Sequence, residues 1–158
     1  MKRTMSYHSQ HGIVLVEFAM IGLLFFILLF AGIECARLAY TWTALTEATR
    51  LGARAAAVCG VNQATIKSVA QFNDGNLLPG DFNGNTNITI RYLDINGNVL
   101  ANPAGADYNN IRFVETRIDN YQYSFLVPGF GSIPLGPFSS VRPREALGVV
   151  PLEGSNIC

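Results

Sequence analysis

The residue best placed to do unusual chemistry is a glutamate inside an apolar run. From Ile13 to Ile33, 18 of 21 residues are hydrophobic, and Glu17 is the one charged residue among them. A charge deep in a bilayer costs about 2.5–3.5 kcal/mol on insertion scales, so a partner or a function is expected for it. The alternative is that Glu17 lies near the membrane interface, where the cost is smaller.

Residues for catalysis or metal binding are otherwise scarce. Both histidines, His8 and His11, precede the apolar run, so a chain that lost this leader would have no histidine for base catalysis or metal ligation. The stretch that begins at Asp81 resembles a calcium loop, but Thr86 and Tyr92 occupy the positions where an EF-hand needs Gly and Glu. No phosphate-binding loop, nucleophile elbow or Cys-x-x-Cys is present. We therefore expect no enzyme activity, no metal and no cofactor.

The composition limits the class of protein. The 158 residues include 11 basic and 11 acidic side chains; 14% are charged and 49% are hydrophobic. About 25% charged residues is typical of soluble domains. A neutral balance argues against nucleic-acid binding, and the apolar content argues against disorder. One modest domain with a membrane segment fits these numbers.

The apolar run predicts a transmembrane helix over residues 13–33. As a helix it is roughly 31 Å long, enough to cross a bilayer core. Residues 1–12 form a polar leader with Lys2 and Arg3 and no acid, which places the N-terminus in the cytoplasm and the rest of the chain outside. A cleaved signal peptide is the competing interpretation; its core would be shorter, and Glu34 would occupy the −3 position of the cleavage site.

An amphipathic continuation of this helix is predicted over residues 34–60. Thr43, Glu47, Arg50 and Arg54 share one polar stripe, which is most simply a solvated face with weak ion pairs. On another face small residues recur every four positions and allow close backbone approach: Ala44, Ala48, Gly52 and Ala56. This face packs either on the protein's own sheet, which we favour, or against another subunit.

Residues 61–158 are predicted to form an extracytoplasmic α+β domain, so that the long helix packs on a small antiparallel sheet. A second helix is expected over 63–72, capped by Asn62, and Asn96-Gly97 signals a tight turn. Strands are expected at 87–94, 111–118, 121–127 and 145–150, while 79–87 and the Pro/Gly-rich 128–137 are expected to be irregular. The apolar segment 121–138 is either a binding surface or the cover of a sheet edge.

The leader–span boundary resembles that of type IV prepilins, which are cut after a glycine and have glutamate as the fifth mature residue. Here Gly12 precedes Ile13, and Glu17-Phe18 follows at the corresponding spacing. With Gly32-Ile33-Glu34, Arg37-Leu38, the 46–54 segment and the late 121–128 segment, the chain resembles the TadE-like family, pilin-like proteins of tight-adherence (type IVc) pili. Cys35 replaces the apolar or aromatic residue expected there.

The resemblance implies a minor pilin or pseudopilin that a prepilin peptidase cuts between Gly12 and Ile13. Glu17, followed by Phe18, would then pair with the new amine of a neighbouring subunit and act in assembly. The implied partners are other pilin-like subunits and the inner-membrane assembly platform, with surface adhesion as the outcome. The alternative function is a single-pass, membrane-anchored binding domain that never enters a filament.

Three cysteines complete the candidates. Cys35, at the outer end of the span, is expected to be a small apolar filler. Cys59 and Cys158 lie in the compartment where disulfides persist, and a bond between them would tie the C-terminal residue to the end of the long helix. The alternative is a pair of free or buried thiols.

Overall fold

The computed structural model describes residues 11–61, 64–73, 82–127 and 129–149. The chain divides into two compact units, one up to Arg37 and one from Leu38 onward. In chain order the helices are α1 (His11–Val58), α2 (Ala64–Ala70) and α3 (Gly84–Asn87), and the strands are β1 (Ile88–Leu93), β2 (Phe113–Ile118), β3 (Tyr121–Ser124), β4 (Ser132–Leu135) and β5 (Phe138–Pro143). A short 3-10 helix covers Tyr108–Asn110. The predicted α+β class is confirmed.

The first unit contains the N-terminal part of α1. No proline interrupts the helix, and the side chains from Ile13 to Ile33 are almost all exposed. This part of α1 therefore has no hydrophobic core of its own. At the end of the unit the Arg37 guanidinium pairs with the Glu34 carboxylate at 3.1 Å, a local i,i+3 contact.

In the second unit, the C-terminal part of α1 packs on the strands. Leu45, Ala48 and Ala56 are fully buried. Thr43, Thr46 and Thr49 bond their hydroxyls to carbonyl oxygens three or four residues earlier, so these polar groups are satisfied within the helix. The amphipathic continuation predicted for this segment is thus present, with its apolar side on the core.

The end of α1 is closed by a distant part of the chain. The Ala57 carbonyl accepts hydrogen bonds from the backbone N–H groups of Glu145 and Leu147, and the Val58 carbonyl accepts one from Gly148. Carbonyls in the last turn of a helix have no partner within the helix, so these bonds satisfy groups that would otherwise need water. Leu147 adds a buried side chain to the same region despite its positive φ of 46°.

The strands form two antiparallel sheets. The larger has the order β1-β2-β5, and its register pairs Ile88 with Ile118 and Ile118 with Phe138. The smaller contains β3 and β4. Along β2 alternate residues are buried, so Val114, Thr116 and Ile118 face the core, as the period of two requires.

Two apolar clusters form the core of the second unit. The first joins α1 to the strand ends and the smaller sheet; its buried members are Leu45, Ala48, Ala70, Ile88, Ile118, Tyr121, Tyr123 and Phe138. The second lies around the end of α1; its buried members are Ala56, Cys59, Ile66, Tyr92, Ile111, Val114 and Leu147. Both clusters contain residues of α1 and of the larger sheet, which explains why the helix and sheet form one folding unit.

Several predicted elements are confirmed. Strands β1 and β2 fall within the predicted ranges 87–94 and 111–118, and α2 falls within 63–72. The Asn96-Gly97 turn is present, with Gly97 at φ 83° and a single bridge from Leu93 to Val99. Strand β3 is shorter than predicted, since it ends at Ser124.

Three predictions for the later chain were wrong. Residues 145–149 form no strand, because the N–H groups of Glu145, Leu147 and Gly148 bond to the end of α1 instead of to a neighbouring strand. Within 128–137, predicted as irregular, residues 132–135 form β4; its Pro134 is tolerated because β4 is an edge strand. Strand β5 was not predicted, and α3 occupies the end of a segment predicted as loop. The proposed cap Asn62 lies outside the described residues.

Candidate assembly site

The residues predicted to act in processing and assembly lie in the first turns of α1. Ile13 and Phe18 are 68% and 76% exposed, and Glu17 is also exposed. Ile13 and Glu17 are four residues apart, so they lie on neighbouring positions of one helix face. Nothing approaches within 4 Å of the position a Cβ would take at Gly12. Among the described residues, no side chain packs against Gly12, and Glu17 is exposed.

Glu17 has no counter-charge in the described part of the chain. The four ion pairs found there involve Glu34, Glu47, Glu115 and Asp119. A carboxylate surrounded by apolar side chains is favoured only if a cation or several donors accompany it. Any such group in the apolar environment has to come from outside the described residues.

The apolar surface around Glu17 is too large for an isolated soluble helix. By length and composition α1 could cross a membrane, and the most apolar window within it has no buried residue. Contiguous exposed apolar surface of this size indicates contact with lipid or with other proteins. The expectation of one membrane-spanning helix near the N-terminus is supported to this extent.

The small-residue face of α1 packs against the protein's own strands and α2. A Cβ built on Gly52 would lie 2.8 Å from Cγ2 of Thr116 and 3.0 Å from Cβ of Ala70. Ala48 and Ala56 are fully buried, and Ala44 is half-buried against the first cluster. Small side chains at these positions therefore allow α1 to approach the core closely.

The polar stripe lies on the solvent side of α1. Thr43, Arg50 and Arg54 are exposed, and the Arg50 guanidinium lies 3.7 Å from the Glu47 carboxylate. An exposed i,i+3 pair of this kind contributes little to stability. This agrees with the prediction of a solvated face with weak ion pairs.

The cysteines differ in their surroundings. Cys35 is an exposed free thiol, whereas Cys59 is buried in the second cluster and is disulfide-bonded. Cys158 lies outside the described residues, so the pairing of Cys59 with Cys158 stays a prediction. No group of three or more His, Cys, Asp or Glu side chains within the described ranges is arranged to hold a metal ion.

The segment 121–138 was considered either as a binding surface or as the cover of a sheet edge, and its residues divide between buried and exposed positions. Tyr121, Tyr123 and Phe138 are buried in the first cluster, where they cover the core. At the connection between β3 and β4, Phe130 is 70% exposed and contacts the Phe125 ring at a centroid distance of 6.1 Å. Strand β3 and Phe138 therefore serve the core, while Ile133 of β4 and the β3–β4 connection offer exposed apolar surface.

Two features of the second unit were missed by sequence reasoning. The hydroxyl of Thr116 is buried and has no hydrogen-bond partner among the described residues. Arg142, on the unpredicted strand β5, shares a cleft with Arg54. The position of Arg142 beside Arg54 could have been predicted only by predicting β5. The alternation of apolar and polar residues in Phe138-Ser-Ser-Val-Arg-Pro is too weak to indicate that strand.

The comparisons with known proteins agree with the geometry of α1. The family model described as TadE-like protein matches residues 12–54, from the predicted cleavage glycine to the last polar residue of the amphipathic stripe. This match confirms the resemblance to the TadE-like family over that segment. No curated protein and no solved structure matches the chain. The similarity to this family therefore covers residues 12–54, all of which lie in α1.

Proposed function

We propose that this protein is a minor pilin or pseudopilin of a tight-adherence (type IVc) pilus. A prepilin peptidase cuts after Gly12, and the mature chain enters the pilus or primes its assembly for surface adhesion. The observation that carries the proposal is the exposed apolar run Ile13–Ile33, in which Glu17 is the single carboxylate, within a segment that matches the TadE-like family. An extracytoplasmic α+β unit on such a helix is what a pilin-like subunit requires.

The proposed role of Glu17 follows from the positive charge that cleavage creates at the new N-terminus. Cleavage between Gly12 and Ile13 creates an amine at a residue surrounded by apolar side chains. A carboxylate from a neighbouring subunit can pair with that amine and offset the desolvation of both charges. Glu17 and Ile13 lie on the same exposed helix face, so each subunit offers both halves of such a contact. Phe18 supplies apolar surface beside it.

The proposed location is the bacterial inner membrane before assembly. Lys2 and Arg3 before the span favour a cytoplasmic N-terminus, with the C-terminal domain periplasmic or extracellular. The partners would be the prepilin peptidase, related pilin-like subunits and the assembly platform. The protein would act by assembly and not as an enzyme, and it would need neither metal, cofactor nor nucleic acid.

The mature N-terminus tests the proposal directly. The full chain is expressed with its peptidase, and the N-terminal peptide is identified by mass spectrometry. We expect Ile13 as the first residue. Gly12→Leu should block the cut, whereas the matched control Gly22→Leu, inside the span with equally open surroundings, should not. An intact Met1, or a cut near Ala36, would refute the proposal.

One observation favours a second candidate function. The exposed Leu126 and Phe130 at the β3–β4 connection would suit a membrane-anchored binding domain that is not assembled into a filament. Such an anchor needs no cut after Gly12. The same mass measurement therefore separates the two functions.

A further inference from the structure

A cleft of about 330 Å³ lies at the C-terminal end of α1, within the second unit. Its walls come from the last turns of α1 and from the end of β5 with the residues that follow it; the lining residues are Arg54, Ala57, Val58, Arg142, Pro143 and Glu145. The backbone there is fixed, because the N–H of Glu145 donates a 3.0 Å hydrogen bond to the Ala57 carbonyl. The cleft is thus built from two elements held together by main-chain bonds.

Two arginines in this cleft form no ion pair with the described residues. Neither Arg54 nor Arg142 forms an ion pair or a side-chain hydrogen bond there, and both are exposed. Four other arginines, Arg37, Arg50, Arg91 and Arg117, each pair with a carboxylate, whereas Arg144 bonds to backbone carbonyls and Arg112 forms no ion pair with the described residues. The two guanidinium groups are therefore available to a ligand.

The charge of the cleft selects the ligand. Arg54 and Arg142 contribute two positive charges and Glu145 one negative charge, which leaves one positive charge in excess. Guanidinium groups bind carboxylates through two parallel N–H···O bonds, and such charge-assisted bonds are stronger than neutral ones. A single carboxylate balances the excess, whereas a phosphate would bring more negative charge next to Glu145.

The apolar part of the cleft adds a second requirement. Val58 is 44% exposed, and Pro143 is exposed on the opposite wall. These side chains offer contact to an aliphatic group beside the carboxylate. A glutamate or aspartate next to an apolar residue, in an exposed segment of another protein, satisfies both requirements.

We infer that the cleft bounded by Arg54 and Arg142 is a docking site for an acidic side chain of a partner protein, accompanied by an apolar neighbour. The site acts independently of cleavage at Gly12 and of the Glu17 contact. Binding here would add a specific contact made by the extracytoplasmic domain to whatever contacts α1 makes.

The test uses the full chain in uncharged detergent micelles and a peptide probe, acetyl-Leu-Glu-Leu-amide. Binding is followed by the NMR signals of the arginine Nε–H groups and valine methyls. We expect saturable shifts at Arg54, Arg142 and Val58. The matched peptide acetyl-Leu-Gln-Leu-amide should bind about fivefold or more weakly, because it lacks the charge-assisted bonds.

Substitutions locate the site, and each has an expected direction of change in peptide affinity. Arg54→Gln and Arg142→Gln should each weaken binding about fivefold or more, and Arg142→Lys should restore only part of it, since lysine lacks the planar fork. Glu145→Gln should strengthen binding by removing the negative charge. Arg50→Gln is the control, because Arg50 lies one turn before Arg54 and pairs with Glu47.

Several results would overturn the inference. Absence of shifts, equal binding of the two peptides, or unchanged binding in both Arg→Gln variants would each do so. Stronger binding of inorganic phosphate, or of phosphatidylglycerol vesicles, would assign the cleft to a phosphate or to a membrane surface instead. Native-like spectra of Arg54→Gln and Arg142→Gln themselves establish that any loss of binding is not a loss of folding.

Discussion

Gly52 of α1 faces Thr116 of β2 with no room for a side chain between them. A Cβ at Gly52 would lie 2.8 Å from the Thr116 methyl group and 3.0 Å from Cβ of Ala70. Real Cβ atoms almost never approach so closely, so the neighbours would have to move. Thr116 is β-branched and fully buried, which leaves it little freedom to do so. The distance between helix and sheet is set at this position.

The first prediction concerns Gly52→Ala. Overpacking of a core costs about 1–3 kcal/mol, and the better helix propensity of alanine returns at most about 1 kcal/mol. We expect a net loss of about 1 kcal/mol in the free energy of unfolding. The single tryptophan, Trp42, packs edge-on against Phe138 at 4.9 Å between ring centroids, so its fluorescence can follow the unfolding of this unit.

A second substitution separates the clash from other causes. Thr116→Ser removes the methyl group that Gly52→Ala would meet. The loss caused by Gly52→Ala should therefore be smaller in the Thr116→Ser background than in the wild type. Additive losses in the double variant would show that the Thr116 methyl is not responsible.

The second prediction concerns the Thr116 hydroxyl itself, which is buried and finds no hydrogen-bond partner in the part of the chain that the structure describes. A buried unsatisfied polar group costs about 1–3 kcal/mol. Thr116→Val keeps the shape and removes this cost, so chemical denaturation should show a gain of about 1 kcal/mol. Thr49→Val is the matched control: Thr49 is equally buried, but its hydroxyl donates a 2.7 Å hydrogen bond to the Thr46 carbonyl, so no gain is expected.

The elements predictable from the sequence are those with a strong local pattern. The apolar run fixes the start of α1, and the alternation around Tyr92 and Val114 indicates β1 and β2. Strands β4 and β5 lack such a pattern, since Pro134 interrupts one and serines occupy much of the other. Their pairing depends on partners distant in the chain, which no local pattern contains.

The candidate sites also divide into those that a local sequence pattern indicates and those that depend on distant parts of the chain. Glu17 is conspicuous because a single charge interrupts an apolar run, so its position follows from sequence alone. The Gly52–Thr116 contact and the cleft shared by Arg54 and Arg142 each join residues more than sixty positions apart. Such contacts depend on how α1 is positioned along the strands, and no local sequence pattern indicates that position.

The third prediction is a pH dependence at the turn after β1. Asp94 accepts hydrogen bonds from the side chain of Asn98, from its backbone N–H and from that of Asn96. These bonds, chiefly the one from the Asn98 side chain, hold the pKa of Asp94 below its usual value of 3.8. The ionised form is favoured in the folded state, so its contribution to stability is present above pH 3.8 and is lost as the pH falls through the lower folded-state pKa.

An NMR titration of the Asp94 carboxyl carbon measures this shift. The midpoint should lie below 3.8 in the wild type and move up towards 3.8 in Asn98→Ala, which removes the side-chain donor. A midpoint that is unaffected by Asn98→Ala would show that the side-chain bond is not the cause.

The fourth prediction concerns the thiols. If Cys59 is bonded to Cys158, labelling of the unreduced, denatured protein should modify Cys35 alone, and reduction should reveal two further thiols. Cys35→Ser should then show no labelling before reduction. Labelling of all three cysteines without reductant, in protein isolated from an oxidising compartment, would contradict the disulfide. A tryptic peptide linking Cys59 to Cys158 would identify the pair directly.

The fifth prediction separates processing from assembly. Glu17→Gln keeps the size of the side chain but removes the charge that would pair with the amine of Ile13. Cleavage after Gly12 should be largely retained, because the bond itself is unchanged, while incorporation into surface fibres should fall about tenfold or more, as expected for an unpaired buried amine. Glu47→Gln is the control, since Glu47 lies outside the apolar run and forms an exposed pair with Arg50. Immunoblots of sheared surface fibres and of membranes measure both steps.

Normal incorporation of Glu17→Gln would show that the carboxylate is not an assembly contact. A failure of cleavage would assign Glu17 to peptidase recognition instead.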